Sequence, residues 1–381
     1  MTNKPAKRST IADVAAEAGV STATAGRVLG GYGYASQDIR TRVQRAARKV
    51  GYRPNRLARG LITGRTQTLG VVAADIGSPY YAAAMRGISD VAERAGFGAI
   101  ITNSDEDADQ EIAAVELLLE KQVDGLIVST ADPSRDAHLR AAIDSGRPVV
   151  QLDRAADALA ADAVVVDGVA AARSAVELLL DAGHRRIAFV GELEHGRHRD
   201  VAAFAAEARD RRLDGRRLYP SWQRLLGYLE AHWAAGAPVD PRRVLRVGAY
   251  SAAAAAAAVG ALLAEPPARG GREDDGGRGD DDGGVTALFA ADGVMSTGTV
   301  AAVAGRGLAI PGDVSVVCFD DLDWMEFTGP GLTTVAQPVR HMGELAATTL
   351  LARIGGDDGP PRRQIVDTEL VLRGSVGPPA A

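Results

Sequence analysis

Two groups of residues in this chain have types and positions that could do chemistry. The first is a concentration of arginine and lysine in residues 1–66: thirteen, against the three acids Asp13, Glu17 and Asp38, a net charge of +10 on a chain whose total is −6. A basic head on an acidic body is the electrostatic footprint of phosphate binding, because each cation placed on a nucleic-acid backbone releases condensed counterions. The second group follows short apolar runs. Ser78, Tyr80 and Tyr81 follow residues 69–74, Gln151, Asp153 and Arg154 end the run 148–152, Asp292 follows Phe289, and Asp320 and Asp321 follow 314–319. If those runs are strands of open parallel sheets, ligands bind where the strands end, and carboxylates there can hydrogen-bond adjacent hydroxyls. Capping of the next turn is the competing use for Asp153 and Asp320.

The elements that must hold the first group are helices. Ile11, Val14, Ala15 and Ala18 fall at i, i+3, i+4 and i+7, with Thr10 placed to cap and Asp13 three residues on. Gly19 suits a left-handed end, and Ser21 can cap a second helix through Thr24, Arg27, Val28 and Leu29. Two short helices about a glycine turn predict a helix-turn-helix. A third helix starts at Ser36, with Ile39, Val43, Ala46, Ala47 and Val50 on one face and Arg40, Arg42, Arg45, Arg48 and Lys49 on the other. Pro54 ends it, and Asn55 can cap a short segment, 56–61.

The second group needs alternating strands and helices. Strands are expected at 69–74, 97–102, 123–129 and 148–152, with helices at 81–95, 110–121 and 137–145 between them. A second series has strands at 163–166, 186–190, 244–247, 285–289 and 314–319 and helices at 170–181, 251–263 and 295–306, with Gly183 as a cap. Near Ala336 and Gln337 the chain should cross back, so that a helix over 342–354 returns to the first lobe.

At 381 residues, with 46% apolar and only 4% aromatic content, the chain suits a small head plus a two-lobed body. Lys4, Lys7 and Arg8 are followed by no apolar region of a signal peptide, and residues 252–264 are too short and alanine-rich to span a bilayer. With the single Cys318 in an apolar run, the reading is a cytoplasmic protein without a disulfide or cysteine metal cluster. His195 and His198 stand three apart without a clear third ligand, and are read as part of a solvated insertion rather than a metal site. No G-x-S-x-G, phosphate-binding P-loop or cysteine–histidine pattern occurs, and no cofactor is expected.

The run 11–15, then Ala18-Gly19-Val20-Ser21, Arg27-Val28-Leu29, Gly51-Tyr52-Arg53-Pro54-Asn55 and Leu57-Ala58-Arg59 together resemble the LacI/GalR family of bacterial transcription regulators. The resemblance spans nearly the whole chain apart from two inserted stretches, 192–220 and the Gly/Asp/Arg-rich 265–284. It implies an all-α helix-turn-helix head (1–52), a hinge helix and linker (53–66), and an α/β two-lobed periplasmic-binding-protein-like body with parallel sheets (67–381). The first lobe would hold about 67–166 and 337–365, the second about 167–336 and 366–381. In the head, Thr22, Ala23 and Arg27 would face base edges, while Thr10, Ser21, Thr24, Tyr32, Ser36 and Asn55 would serve the DNA backbone or its positioning. Leu61 matches the leucine that wedges into the minor groove, flanked by Arg56, Leu57, Ala58 and Arg59. Ala25, Gly26 and Gly30 depart from the family's usual valine, serine and asparagine, and Gly26 within a helix costs about 1 kcal/mol relative to alanine.

In the body, the resemblance places Asp153, Arg224, Tyr250, Asp292 and Asp320 at effector-contact positions and Tyr80 and Tyr81 on the first-lobe wall. Asp292 and Gly293 stand where asparagine and aspartate are usual. The implied protein is a homodimeric regulator, most simply a repressor, that binds a pseudo-palindromic operator and responds to a small molecule, a sugar or related metabolite, closing the cleft. A sugar-acting enzyme, a solute-binding protein and a DNA binder with a vestigial cleft are the competing readings. The absence of a heptad after Val376 gives no tetramerising helix.

Overall fold

In the computed structural model, Thr10 closes a reciprocal capping box on α1 (Ile11–Ala18). Its hydroxyl accepts from the Asp13 amide at 3.4 Å, and the Asp13 carboxylate accepts from the Thr10 amide at 2.7 Å. Gly19 ends the helix at φ 63°, and the Ser21 hydroxyl accepts from the Thr24 amide to start α2 (Thr22–Gly30). With α3 (Gln37–Lys49), these helices close a core of Val14, Ala15, Ala18, Ala25, Val28, Val43, Ala46 and Ala47. The structure describes residues 9–30, 33–52, 65–156, 158–195, 198–210, 213–264 and 284–380. The chain divides into a head, 1–68 with 122–124, and a body comprising 69–121 and 125–381. The expectations for Tyr32, Asn55, Arg56, Leu57, Ala58 and Leu61, and for the insertion 265–283, lie outside the described residues.

The body holds two six-stranded sheets among the described residues. One runs β11-β5-β4-β3-β1-β2, from β1 (Thr68–Ala73), β2 (Gly98–Asn103), β3 (Gly125–Val128), β4 (Val149–Leu152), β5 (Asp162–Val166) and β11 (Arg363–Val366). The other runs β12-β10-β9-β8-β6-β7, from β6 (Ile187–Gly191), β7 (Val244–Arg246), β8 (Ala287–Ala290), β9 (Ser315–Phe319), β10 (Thr333–Ala336) and β12 (Glu369–Val371). Pairing is parallel from β7 through β6, β8 and β9 to β10; β6, β8 and β9 are buried along their whole length and largely apolar, whereas the edge strand β7 ends on the exposed Arg246. The β12 edge departs from the all-parallel expectation by pairing antiparallel with β10.

α4 (Pro79–Arg94), α5 (Ala108–Glu120) and α6 (Ala137–Asp144) belong to the first sheet's lobe. The second lobe has α7 (Gly168–Asp181), α8 (Val201–Arg209), α9 (Pro220–Ala234), α10 (Ala252–Ala264), α11 (Gly293–Gly305) and α12 (Asp323–Glu326). α13 (Val339–Ile354) then returns to the first sheet's core, which it shares with α4. Gly87 and Gly343 make that packing possible. A Cβ on Gly343 would stand 2.2 Å from the Ala84 carbonyl oxygen, and one on Gly87 2.1 Å from that of Arg340. The chain thus passes between sheets after β5, after β10 and again between β11 and β12.

α9 falls outside every helix expected from the sequence, yet Trp222, Leu225, Leu226 and Leu229 follow helical spacing, and its Gly227 lies against the α7 backbone. The preceding insertion is solvated only in part: Arg199, Arg209, Arg216 and Arg217 are exposed as expected, but its two histidines are packed. His198 packs edge-on to Phe204 at 4.9 Å and against Trp222, and His195 stacks on Tyr219 at 5.1 Å. The buried pair Phe204 and Trp222 supplies the surface against which the His198 ring packs.

Candidate functional site

In the head, Thr22, Ala23 and Arg27 are exposed at the start of α2 and one turn on, while Ala25 and Val28 face the core. Ser21 and Thr24 hydroxyls lie 2.9 Å apart, and Arg27 Nη2 is 3.4 Å from the Thr24 hydroxyl, so one turn of α2 gathers three polar groups on its outer face. Ser36 stands at the N-cap of α3, its side chain making no cap bond, and Thr10 is held in its own capping box. Part of the basic face of α3 has an internal use. Arg42 donates to the Ala18 carbonyl at 2.6 Å at the end of α1, Arg40 to the Ala35 carbonyl at 3.1 Å, and Lys49 pairs with Glu17 at 2.6 Å. Arg45 and Arg48 are exposed, as is Tyr34, 90% exposed before α3 and not singled out from the sequence.

In the body, strand ends of both lobes converge on one cavity of about 50 Å³, lined by Ser78, Tyr80, Tyr81, Asp153, Arg154, Glu192, Tyr219, Pro220, Ser221, Arg224, Tyr250, Asp292, Asp320 and Gln337. All seven residues placed there by the resemblance are among them. Asp153 follows β4 and Asp320 follows β9, and both take left-handed backbone, φ 70° and 72°. Their amides occupy matching places, bonding the carbonyls of Val164 and Val335 on the neighbouring strands. This conformation costs a non-glycine residue about 1–2 kcal/mol, and its repetition at corresponding strand ends aims two carboxylates into the same space.

Each carboxylate is fastened. Tyr80 donates to Asp153 Oδ1 at 3.0 Å, and Tyr81 lies 3.4 Å from Oδ2 while sharing a 2.9 Å bond with Ser129. Gln337 Nε2 donates to Asp320 Oδ1 at 2.6 Å and the Gly293 amide to Oδ2 at 3.0 Å. Asp292 caps α11, its Oδ1 accepting from the amides of Val294 and Met295 at 2.9 Å. Burial pushes the Asp292 carboxyl up to about 6, with Arg224 opposing and Asp320 adding to the rise. Burial also raises Asp153, against the pull of Arg154 and Arg224. Arg224, 7% exposed, donates to the Ala291 carbonyl at 2.5 Å and stands 3.9 Å from the Phe319 ring centroid. Tyr250 lies at the rim, 39% exposed, its hydroxyl raised by burial and then by Asp292 and Asp320.

A second set of residues bridges the lobes at the same cavity. Arg154 is held in a fork by both oxygens of Glu106, which also accepts from the Tyr219 hydroxyl at 3.2 Å across the cleft. The Arg154 guanidinium lies 4.6 Å over the Tyr219 ring. Burial would raise Glu106, but Arg154 outweighs it and holds the carboxyl below its ordinary range. Behind Tyr219, Glu192 accepts from Ser221 at 2.8 Å and pairs with His195 at 3.2 Å; that bond raises the His195 pKa. Glu106, Glu192, Tyr219, Ser221 and Gln337 were not singled out from the sequence, although Glu192 directly follows β6 and Glu106 closely follows β2, where strand-end reasoning applies. Among the described residues no group of three or more His, Cys, Asp or Glu could hold a metal ion, and no helix is long and apolar enough to cross a membrane.

A helix-turn-helix unit on the same chain as two α/β lobes around a polar cleft defines the class of DNA-binding regulators with a binding-protein body. Residues 10–55 match the model for bacterial regulatory proteins of the lacI family, 66–211 that for periplasmic binding proteins and the sugar-binding domain of the LacI family, and 176–376 that for a periplasmic binding protein-like domain. The chain is 31% identical to the HTH-type transcriptional regulator PtxS of Pseudomonas putida, over 99% of this chain and all of that one. It is 30% identical to the HTH-type transcriptional repressor CytR of Escherichia coli, over 96% of each. A solved complex of the transcriptional regulator CelR with cellobiose superposes with a TM-score of 0.65 at 27% identity, covering 97% of this chain and all of that one. The chain belongs to the LacI family and is a DNA-binding transcriptional regulator.

Proposed function

We propose that this regulator is a cytoplasmic, non-enzymatic repressor that binds a two-fold symmetric operator as a homodimer, and that a small polyhydroxylated effector in the inter-lobe cleft sets its affinity for DNA. The observation that carries the effector reading is the convergence of Asp153, Asp292, Asp320 and Arg224, from both lobes, on one cavity with the aromatic rings of Tyr80, Tyr81 and Tyr250. Carboxylates and a guanidinium grip adjacent hydroxyls, and rings pack on the apolar face of a sugar. The cellobiose bound by CelR supports a sugar as the ligand class.

On the DNA side, Thr22, Ala23 and Arg27 read base edges in the major groove, Arg27 by a bidentate contact to guanine and Ala23 through a thymine methyl. Ser21, Thr24, Ser36 and Tyr32 hold the phosphates, and Thr10 fixes the start of α1. The family resemblance assigns Asn55 to Leu61, which lie outside the described residues, to the minor-groove hinge. Ile100 and Ile101 on the β2 edge, with Ile76 and Leu117, expose apolar surface on the first lobe, which supports pairing through that face. Selection of genomic fragments by the full chain, followed by footprinting, tests the reading. A protected site with two-fold symmetry and half-sites about one helical turn apart is expected. Binding without sequence preference would overturn it.

A further inference from the structure

The cleft is furnished to accept hydrogen bonds more than to give them. Three carboxylates, Asp153, Asp292 and Asp320, line it with Arg224, whereas Arg154 is taken up by Glu106 and stacks on Tyr219, 3.7 Å from Asp153. Glu192 is paired with His195. Several of its donors are already engaged, Tyr80 with Asp153, Tyr81 with Ser129 and Asp153, and Gln337 Nε2 and the Gly293 amide with Asp320, which leaves the Ser78 and Tyr250 hydroxyls and the Arg224 guanidinium.

Three buried side-chain atoms of the cleft have no hydrogen-bond partner among the described residues, Arg154 Nε, Arg224 Nε and Gln337 Oε1, and the first of them lies 3.7 Å from Asp153 Oδ2. The orientation of the Gln337 amide is settled by chemistry, because the end facing the Asp320 carboxylate must be the NH₂. Its free end is therefore an acceptor. Of Asp292, only Oδ1 accepts a hydrogen bond among the described residues. The space next to Asp292, Asp320 and Gln337 thus offers negative charge and lone pairs, with donors left on Arg224, whose bond among the described residues is the one to the Ala291 carbonyl.

A hydroxyl brings one donor and two acceptor sites, and an ammonium brings three donors, no acceptor and a positive charge. A phosphate or carboxylate would set like charges beside three carboxylates. We propose that the effector of this cleft is an amine-bearing polyol, an amino sugar or its like, whose ammonium is held by Asp292, Asp320 and Gln337 Oε1 while one of its hydroxyl oxygens accepts from Arg224 Nε. The proposal rests on the reading of the cleft as the effector site and narrows it to one ligand chemistry.

The test is calorimetric titration of the full chain, at pH 7.5, with matched triplets: glucose, galactose and mannose, their 2-amino-2-deoxy forms and their 6-phosphates. In at least one triplet the amine should bind about tenfold more tightly than the neutral parent, and the phosphate more weakly than the parent. Asp292→Asn, which keeps an N-cap oxygen, should narrow the amine preference, and Gln337→Leu gives an independent check should that variant fold poorly. A neutral sugar or a phosphate that binds as well as its amine overturns the proposal while leaving the effector site standing. No binding by any of the nine, with operator binding intact, counts against the effector reading itself.

Discussion

Replacing Asp292 by asparagine isolates the cost of its buried charge. Its carboxyl is raised from 3.8 to about 6, burial being the main cause. A carboxyl with a raised native pKa binds more protons folded than unfolded, so its contribution is fully present below 3.8 and is lost as pH rises through about 6. Each pH unit separating the folded from the unfolded pKa is worth roughly 1.4 kcal/mol. Relative to an exposed aspartate, Asp292 therefore costs about 1 kcal/mol at pH 4.5 and, once ionised, about 3 kcal/mol at pH 7.5. Asparagine keeps the acceptor for Val294 and Met295 and carries no charge at either pH. The stability of Asp292→Asn relative to the parent, measured by urea unfolding, should therefore rise by about 2 kcal/mol between pH 4.5 and 7.5. Other titrating groups contribute to both proteins and drop out of the difference. Parallel pH profiles would refute the reasoning, and a gap that widens toward acid pH would reverse its sign.

Other variants probe the head, the first lobe and the DNA-reading helix separately. Thr10→Ala removes one half of the capping box on α1 and should cost about 1 kcal/mol of head stability by thermal unfolding. Gly343→Ala would set a Cβ 2.2 Å from the Ala84 carbonyl oxygen and should destabilise the first lobe by about 1–3 kcal/mol, read by hydrogen exchange in α4 and α13. Arg27→Ala should weaken operator binding by about 1–3 kcal/mol and relax preference at one base pair per half-site, with little change in non-specific binding.

The head was legible because its signals are local. Thr10 with Asp13, Gly19 and Ser21 each act within four residues, so spacing alone implies the bonds seen. The central strands were legible because burial on both faces leaves unbroken apolar runs such as residues 187–190. β11 and β12 carry no such run; they are short, partly exposed edges whose residues have no single buried face. α9 was masked by the arginine-rich stretch before it, though its leucines have helical spacing. In the cleft, strand-end position points to Asp153, Asp292 and Asp320, but the bridge of Glu106, Arg154 and Tyr219 joins residues 48 and 113 apart. Nothing in local spacing signals such a meeting. The basic face of α3 shows the opposite limit: charge alone does not tell Arg42, used on the end of α1, from Arg45, left exposed.

The central claim is that a ligand in the cleft governs binding to DNA. Its most direct test is fluorescence anisotropy of a selected operator duplex titrated with the full chain, with and without the tightest-binding cleft ligand, for the parent and for Arg224→Ala. The ligand is expected to shift operator affinity by about fivefold or more in the parent, and Arg224→Ala to bind the operator but lose that shift. A ligand that binds the parent yet leaves its operator affinity unchanged, or a shift that survives in Arg224→Ala, would contradict the claim.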